Sequence, residues 1–550
     1  MAEGTPVSRT PLRIGVVLDS TTVPGWARLL LQRIRESSFA DPVLYVVDPP
    51  PDRARSSSGR ARTRRADLLF RLWERFDRRL CSSAGDALEL VDATSELSLA
   101  KRIDGPLVGE SAAASAVVDA ELDVLLHLGS RTLEAPVRKS ARYGVWGLHH
   151  GDTRHYRGSP PFYWEMHDRN PVTGTTLYVI ADAAGAGPVI YRSYSATDPV
   201  SLHRGRTGPY LKAAHFVLRR LRELHQRGPA SLEPLLTSAE PHAHQGRLRE
   251  APTNGQMVRF LLGIATGVLR RRAKRLFLRD TWFVAYRRLA SPTVPELRES
   301  PEFRTISPPR RRFYADPFVM QRNGNAYIFF EDYSYESQKG VISCATVNGN
   351  TSEIRTVLAR DYHLAYPCVF EWDGAVYMIP ESAGAKRIEL YVATDFPSQW
   401  KLDRVLLDGV AAVDTTIHHD GRRFWLFTTI PAEPGAPRVD ELFLFSADSL
   451  DEPWTPHPHN PVVSDVRRAR PGGHLFRDQR GRLIRPAQDC STKYGHAIVL
   501  HHVTRLDPAH YEEMPVGRID ADWGPQNIAS HTYNFAGGYE VLDGMAARLR

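Results

Sequence analysis

The segment from Gly144 to Ile180 concentrates titratable side chains that could carry chemistry. It reads GVWGLHHGDTRHYRGSPPFYWEMHDRNPVTGTTLYVI, and its candidate residues are His149, His150, Asp152, His155, Arg157 and Glu165. Histidines titrate near neutral pH and suit proton transfer, and they are also common metal ligands. The spacing of His149, His150, Asp152 and His155 matches no standard zinc pattern, so we predict no metal at this site and favour acid-base chemistry.

The elements before this segment follow an α/β rhythm. LRIGVVLDS is a β-branched run bounded by turn-forming residues, and PGWARLLLQRIRES continues with apolar residues at helical spacing. PVLYVVD and the run from Val124 to Leu128 are further strands. The pattern predicts a doubly wound parallel sheet. Functional groups in such sheets gather beyond the carboxyl ends of the strands, where His149, His150 and Asp152 would lie.

Length and composition set the broad class. At 550 residues we expect several domains, with an α/β domain at 1–228, a connector at 229–280 and a third region at 281–550. Residues 50–65 lack apolar anchors and are predicted to be a mobile surface insertion. The net charge of +8 is modest and scattered, which argues against a nucleic-acid partner.

The sequence also bears on localisation. Four widely spaced cysteines, no secretory signal and no apolar run long enough to span a bilayer predict a cytoplasmic protein. Residues 257–279 are predicted to form a helix with a central apolar stretch and a basic end. Such a helix favours either a solvated face between domains or peripheral contact with an anionic membrane. The sequence leaves both alternatives open, together with the oligomeric state.

After Trp282 the sequence changes to short alternating strands. Five similar segments recur roughly every 50 to 60 residues, a spacing typical of propeller blades: ADPFVMQRNGNAYIFFE, AYPCVFEWDGAVYMIPE, AVDTTIHHDGRRFWLFT, ARPGGHLFRDQRGRLIRPAQ and SHTYNFAGGYEVLDG. Each segment runs through a strand to a turn and into a second, apolar strand. The repeat predicts an all-β propeller of five blades.

The N-terminal region resembles the formyl-tetrahydrofolate-dependent formyltransferases. The matching residues, which cover a region of about 12–225, are His150, Arg157, Gly158, Pro161, Trp164, Thr173, Gly174 and Thr176. The resemblance implies formyl-tetrahydrofolate as the cofactor and His150 as the group that assists proton movement, with Arg157 at the substrate. Leu148 and Gly185 stand where the family has its asparagine and aspartate. Asp152 or Glu165 would then have to act as the partner of His150.

The C-terminal region resembles the N-terminal region of plant glucosamine inositolphosphorylceramide transferases. More distantly, it is similar to five-bladed furanosidase-type glycoside hydrolases. The segments that carry the resemblance are FYADPFV, YPCVFEWDGAVYMIPES and SHTYNFAGGYEVLDG. It implies carboxylates at the propeller axis, namely Asp316, Glu381 and Asp414, with Glu331 as a substitute. It also implies substrate binding by Arg470, His474, His531 and Asp543.

Three functions follow from these observations. The leading prediction is a transferase that places a one-carbon acyl group on an amino group of a sugar or glycoconjugate, with the propeller binding the glycan. The first alternative is a glycan-binding protein whose transferase domain has lost its chemistry. The second alternative is a propeller glycosidase or glycosyltransferase that uses Asp316, Glu381 and Asp414.

Overall fold

The computed structural model describes residues 10–49, 66–82, 86–182, 187–237, 248–289, 303–348, 350–524 and 527–549. The chain divides into two compact units, Met1–Ala265 with Ala432–Ala436, and Thr266–Pro431 with Pro437–Arg550. The predicted insertion at 50–65 and Gly185 lie outside the described residues.

A seven-stranded sheet organises the N-terminal unit, in the spatial order β10-β9-β7-β6-β1-β3-β5. Its strands are β1 (Leu12–Leu18), β3 (Ala40–Val47), β5 (Lys101–Asp104), β6 (Val124–His127), β7 (Val145–His150), β9 (Val172–Val179) and β10 (Val189–Ala196). Two short pairs join β2 (Thr22–Pro24) to β4 (Leu90–Asp92) and β8 (Arg157–Gly158) to β11 (Leu248–Arg249). The predicted α/β domain is therefore confirmed.

The prediction that this sheet is wholly parallel is wrong at one edge. The strands β5, β3, β1, β6 and β7 are parallel, but β9 runs antiparallel to β7, and β10 runs antiparallel to β9. The chain returns from β7 without a crossover back to the starting edge, so β9 forms an antiparallel pair with β7.

Eight α-helices occur in the described part of the chain. They are α1 (Gly25–Arg35), α2 (Leu68–Cys81), α3 (Ala112–Val118), α4 (Ala135–Arg138), α5 (Tyr163–His167), α6 (Leu202–Arg227), α7 (Glu233–Thr237) and α8 (Asn254–Phe277). Apolar residues of α1 and α6 recur at helical spacing and pack with β1 and β6 in the main core of this unit. Within the described residues, no helix is both long and apolar enough to span a membrane.

The second unit is a propeller of five antiparallel blades, which confirms the prediction from the repeat. Its first three blades are β14 (Arg312–Arg322), β15 (Asn325–Ser334), β16 (Lys339–Asn348) and β17 (Asn350–Leu358); β18 (Ala365–Trp372), β19 (Ala375–Glu381), β20 (Arg387–Asp395) and β21 (Gln399–Asp408); and β22 (Val413–His419), β23 (Phe424–Thr429), β24 (Glu441–Ala447), β25 (Thr455–Pro456) and β26 (Val463–Ser464).

The fourth blade is β27 (Phe476–Arg477), β28 (Leu483–Asp489), β29 (Ala497–Asp507) and β30 (His510–Asp520). The fifth blade combines both ends of the unit: β12 (Leu278–Arg288) and β13 (Arg304–Ile306) come from its start, β31 (Tyr533–Ala536) and β32 (Tyr539–Leu549) from its end. β12 pairs with β32 from Leu278↔Leu549 to Arg288↔Tyr539. This long ladder closes the propeller and removes two open sheet edges.

Candidate functional site

The imidazole of His150 packs inside an aromatic cage at the end of β7. It stacks on Tyr210 with ring centroids 3.8 Å apart, and the rings of Trp26 and Phe162 lie edge-on at 5.6 and 6.1 Å. Both ring nitrogens are covered from solvent, and neither has a hydrogen-bond partner among the described residues. Burial, with smaller contributions from His149 and Arg206, lowers the pKa of His150 to about 3. The ring is therefore neutral at physiological pH.

The predicted carboxylate partners of His150 lie elsewhere. Glu165 Oε1 accepts hydrogen bonds from the backbone N–H of Asp152 at 3.3 Å and from the Thr173 hydroxyl at 3.4 Å. Burial raises the pKa of Glu165 to about 7. Arg157 begins β8, whose partner strand is β11. The structure therefore brings Asp152 and Glu165 next to each other but brings neither to His150.

The surroundings of His150 do not fit a formyl carrier. Leu148, which stands at the family's asparagine position, has no side-chain donor and packs against the main core. A developing oxyanion needs a positioned donor, and a catalytic histidine needs an accessible nitrogen. The ring nitrogens of His150 are covered and Leu148 supplies no donor, so these residues do not fit formyl transfer from a folate.

The propeller places one side chain from each blade at the same position of the repeat. These five residues, called the axial ring here, are Asp316, Tyr366, Asp414, Arg470 and His531. Asp316, Tyr366 and Asp414 have φ angles of 52°, 44° and 51°, in the left-handed region that non-glycine residues seldom adopt. Each lies at a register shift in its ladder. Such bulges redirect side chains next to functional sites and hold backbone strain there.

His531 forms an ion-paired triad with two aspartates. Its Nε2 lies 2.9 Å from Asp316 Oδ1, and its Nδ1 lies 2.9 Å from Asp543 Oδ2. Burial alone would lower the pKa of His531, but the carboxylates of Asp543 and Asp316 outweigh burial and raise it to about 10. The residue is therefore an imidazolium at neutral pH. Thr532 also donates to Asp316 Oδ1, at 2.9 Å, so both contacts fall on one oxygen of Asp316.

These three residues form the only group in the described part of the chain with the spacing of a metal site. Both nitrogens of His531, however, already face a carboxylate at hydrogen-bond distance. A metal would need a free imidazole lone pair, which a doubly paired imidazolium does not offer. We therefore interpret the group as an ion-paired triad.

The carboxylate of Asp414 is held from two sides. Arg470 binds it through Nε at 2.5 Å and Nη2 at 3.1 Å, and the amide of Gln488 donates to it at 2.5 Å. Asp414 is 1% exposed, so the paired guanidinium offsets the cost of burying its charge. Arg470 Nη2 also lies 3.9 Å from Glu381 Oε2.

Two glutamates, each on the second strand of its blade, have altered acidity. Burial and the neighbouring Asp414 raise the pKa of Glu381 to about 8. Burial and the carboxylate of Asp316 raise the pKa of Glu331 well above its usual value. Glu381 is therefore predominantly protonated at neutral pH, and the pKa of Glu331 is shifted in the same direction. Protonated carboxyls beside paired aspartates are the combination that divides acid and base roles in glycosidic chemistry.

Glu331 has a histidine between it and solvent. His363 Nε2 lies 3.5 Å from Glu331 Oε1, and the His363 side chain is 40% exposed. The backbone N–H of Gly340 donates to His363 Nδ1 at 2.9 Å, which leaves the ring proton on Nε2, facing Glu331. A Cβ at Gly340 would lie 2.9 Å from Glu331 Oε1 and 2.5 Å from the Leu364 carbonyl oxygen, so this close approach requires glycine.

Aromatic rings cover one side of the axial ring. The Tyr494 centroid lies 4.9 Å from the His531 ring, and the Arg470 guanidinium lies over the Tyr494 ring at 4.9 Å. Trp282 packs on His531 at 4.2 Å. Tyr494 is 41% exposed, whereas Asp316 and His531 are buried. An accessible aromatic face beside polar groups is the surface on which a sugar ring can stack.

The structure brings together most of the propeller residues that the sequence indicates: Asp316, Glu331, Glu381, Asp414, Arg470, His531 and Asp543. His474 is the exception, because its Nε2 contacts the Val369 carbonyl oxygen at 2.8 Å and burial lowers its pKa to about 4. Sequence reasoning missed Tyr366, Gln488 and Tyr494. Tyr366 carried a signal, since it occupies the position of Asp316 in the second repeat. Gln488 carried one too, since it ends the fourth repeat where Glu331 and Glu381 end the first and second.

The fold and this site define a class: a five-bladed propeller with a carboxyl-rich polar cluster at its axis, joined to an α/β unit. Residues 304–526 match the family model described as "Glucosamine inositolphosphorylceramide transferase 1, N-terminal". The glucosamine inositolphosphorylceramide transferase 1 of Oryza sativa subsp. japonica is 35% identical over 209 residues, which is 37% of this chain and 28% of the relative. The aligned region thus spans little more than a quarter of that relative's length.

Two solved structures illustrate the remaining similarities. The catalytic domain of a Coprinopsis cinerea GH62 α-L-arabinofuranosidase is 14% identical, with a TM-score of 0.32, covering 49% of this chain and 97% of its own. Phosphoribosylglycinamide formyltransferase from Bacillus halodurans is 11% identical, with a TM-score of 0.24, covering 42% of this chain and 97% of its own. At these scores neither structure carries an argument about fold or function.

Proposed function

We propose that this protein acts on a glycoconjugate at the propeller axis and transfers a glycosyl group there. The observation that carries the proposal is the contrast between two neighbouring carboxyls. The pKa of Glu381 is raised to about 8, whereas Arg470 holds the carboxylate of Asp414 through hydrogen bonds of 2.5 and 3.1 Å. Neighbouring carboxyls in different environments can hold a proton on one and a charge on the other.

In this proposal Glu381 is the general acid. Its proton passes to the oxygen that leaves the sugar, and its own carboxylate remains next to the Arg470 guanidinium, which lies 3.9 Å away. Asp316 is the general base, because both of its described contacts fall on Oδ1 and Oδ2 can accept a proton from the incoming hydroxyl. Asp414 and Arg470 position Glu381 and set its acidity. Tyr494 supplies the face on which the sugar stacks.

The similarity to the rice transferase supports a glycoconjugate substrate. The printed name of that relative combines a glucosamine with an inositolphosphorylceramide, so an amino sugar is the group we propose for the acceptor or donor. Because the aligned region covers 28% of that relative, we propose for this chain only the class of substrate and not the relative's full activity.

One observation favours a second candidate, glycan binding without turnover. Asp316, Asp414 and Asp543 each contact a cation inside the protein, and such full pairing also suits a rigid binding site. Under this alternative, Glu381→Gln would change the affinity for a glycan, and the unmodified protein would show no turnover.

Turnover of a panel of aryl glycosides, including a glucosaminide, tests the proposal. We expect Glu381→Gln to lower turnover by about a hundredfold or more, the usual contribution of general acid catalysis. Glu371→Gln is the matched control, since Glu371 lies on β18 of the same blade and is exposed. Equal rates for both variants, or glycan binding with no turnover by the unmodified protein, would contradict the proposal.

Formyl transfer from formyl-tetrahydrofolate stays a prediction for the N-terminal unit. Calorimetry with a folate tests it directly. Because His150 is enclosed and neutral, we expect no heat of binding that depends on this residue. A folate affinity that His150→Phe abolishes would restore formyl transfer as the leading function.

A further inference from the structure

The helix α8 carries apolar side chains on the side that faces away from the core. Met257 and Phe260 are buried in a cluster of the N-terminal unit. Val258, Leu262, Leu269, Leu276 and Phe277 are 47%, 61%, 65%, 72% and 69% exposed. We call these five residues the outer stripe. Exposed leucine and phenylalanine side chains in such a row indicate an interaction surface.

The spacing of the outer stripe keeps it on one side of the helix. Val258, Leu262, Leu269 and Leu276 follow one another by four, seven and seven residues, so at 3.6 residues per turn they stay within a narrow arc. Phe277 lies about 100° around the helix from Leu276 and about 60° from Leu262, so it forms the edge of the outer stripe. From Leu269 to Phe277 every residue is exposed, so this end of the helix lacks cover on all sides.

The remaining sides of this end are strongly basic. Arg270, Arg271, Arg272, Lys274 and Arg275, called the basic cluster here, occupy the rest of the helical circumference. The helix from Asn254 to Phe277 contains no Asp or Glu. Lys274 pairs with Asp280 at 2.7 Å. For the four arginines of the cluster, the described residues provide no ion-pair partner.

We propose that α8 docks on an anionic membrane surface, with the outer stripe in the interface and the basic cluster at the lipid headgroups. Amphipathic helices of this composition lie in the interface plane, and their affinity combines apolar burial with attraction to anionic lipid. The helix lies on the bilayer rather than crossing it, since no helix in the described ranges is apolar enough to span one. The proposal is independent of the chemistry proposed for the propeller.

Other occupants of this surface fit less well. Two copies of the basic cluster would bring ten cations together. The described ion pairs supply only Asp280 from each copy as a compensating acid, so a symmetric dimer on the outer stripe would repel itself. A nucleic acid would neutralise the basic cluster but would leave the leucines and Phe277 in water. An anionic bilayer satisfies both the charge and the apolar surface.

Sedimentation of the full chain with lipid vesicles tests the proposal. We expect the protein to bind phosphatidylcholine vesicles that contain phosphatidylserine and to bind pure phosphatidylcholine vesicles at least tenfold more weakly. Raising the salt concentration from about 0.1 to 1 M shortens the screening length from about 10 to 3 Å and should weaken binding further.

Variants separate the two components of the surface. Arg271→Gln with Arg272→Gln should lower the partition onto anionic vesicles by about thirtyfold, as expected for two basic residues near the surface. Arg422→Gln with Arg480→Gln is the matched control, because both residues are exposed arginines elsewhere on the propeller unit. Leu276→Ser with Phe277→Ser should also lower the partition, by at least tenfold, without changing the charge.

Three results would overturn the proposal. One is equal binding to both vesicle types. Another is a loss in the control pair as large as that in the Arg271 and Arg272 pair. The third is failure to bind anionic vesicles. If the protein then binds single-stranded nucleic acid, the surface belongs to a nucleic acid, and if it forms a dimer that Leu276→Ser with Phe277→Ser dissociates, the surface belongs to a second copy of the chain.

Discussion

His150 and His531 are both buried histidines in polar stretches of sequence, yet their surroundings differ completely. His150 is enclosed by aromatic rings and has no hydrogen-bond partner among the described residues, so burial lowers its pKa to about 3. His531 is also buried, but Asp543 and Asp316 raise its pKa to about 10. The His150 ring is therefore neutral and packs among aromatic side chains, whereas the His531 ring is a cation held by two carboxylates.

The neighbours of a buried titratable group, rather than its residue type, decide whether it can take part in chemistry. At the propeller axis each aspartate has a cation, and burial and like charge raise the pKa of the adjacent glutamates. Around His150 the structure provides no comparable partner within the described residues.

The largest effect is expected for Arg470→Met. The variant leaves Asp414 buried without its guanidinium, and breaking a buried ion pair in this way typically costs about 3 to 5 kcal/mol. Denaturant unfolding of the full chain measures the loss, and Arg422→Met, at an exposed position, is the control. A cost below about 1 kcal/mol would mean that the axial pairs are not coupled as described.

His531→Gln should remove a specific dependence of stability on pH. The pKa of His531 is raised to about 10 in the folded protein, above the unfolded value of about 6.5. The stability it contributes is therefore complete below about pH 6.5 and is lost as the pH rises through about 10.

Between pH 7 and 9 the unmodified protein should lose about 2.5 kcal/mol more stability than His531→Gln, given about 1.36 kcal/mol for each pH unit over which only the folded chain holds the proton. Unfolding free energies at the two pH values provide the measurement. Parallel changes in both proteins would show that His531 is not the imidazolium of the triad.

His150→Phe should act in the opposite pH range and more weakly. The pKa of His150 is lowered to about 3, so stability is lost as the pH falls below the unfolded value of about 6.5, where the unfolded chain binds a proton and the folded chain does not. Between pH 7 and 5 the unmodified protein should lose about 2 kcal/mol more than the variant. Strong destabilisation of the variant at pH 7 would instead show that the ring nitrogens of His150 have a stabilising hydrogen-bond partner.

The repeat predicted much of the propeller and of its site. Each of the five copies of the repeat falls in a different blade. Equivalent positions of the copies are occupied by Asp316, Asp414, Arg470 and His531. The period of a repeat fixes which residues share a position, so a common location follows from sequence alone. Gln488 ends the fourth copy, as Glu331 and Glu381 end the first two, so the repeat also indicated its position. Tyr494 lies between β28 and β29, outside the repeated segments, and no local pattern reveals that the fold brings it to Arg470.

The N-terminal unit shows where the sequence is less informative. Alternating strands and helices predicted the α/β sheet, but the antiparallel pairing of β9 and β10 depends on where the chain returns after β7. The polar residues between Gly144 and Ile180 predicted acid-base chemistry because their types suit it. Whether Trp26, Phe162 and Tyr210 close over His150 is decided by packing between distant segments.

We propose that the polar cluster at the propeller axis, rather than His150, acts on a glycoconjugate. Turnover of one glycoside by Glu381→Gln and His150→Phe tests it most directly. We expect Glu381→Gln to lose about a hundredfold or more and His150→Phe to match the unmodified protein. An inactive His150→Phe beside a fully active Glu381→Gln would contradict the claim and return the chemistry to the N-terminal unit.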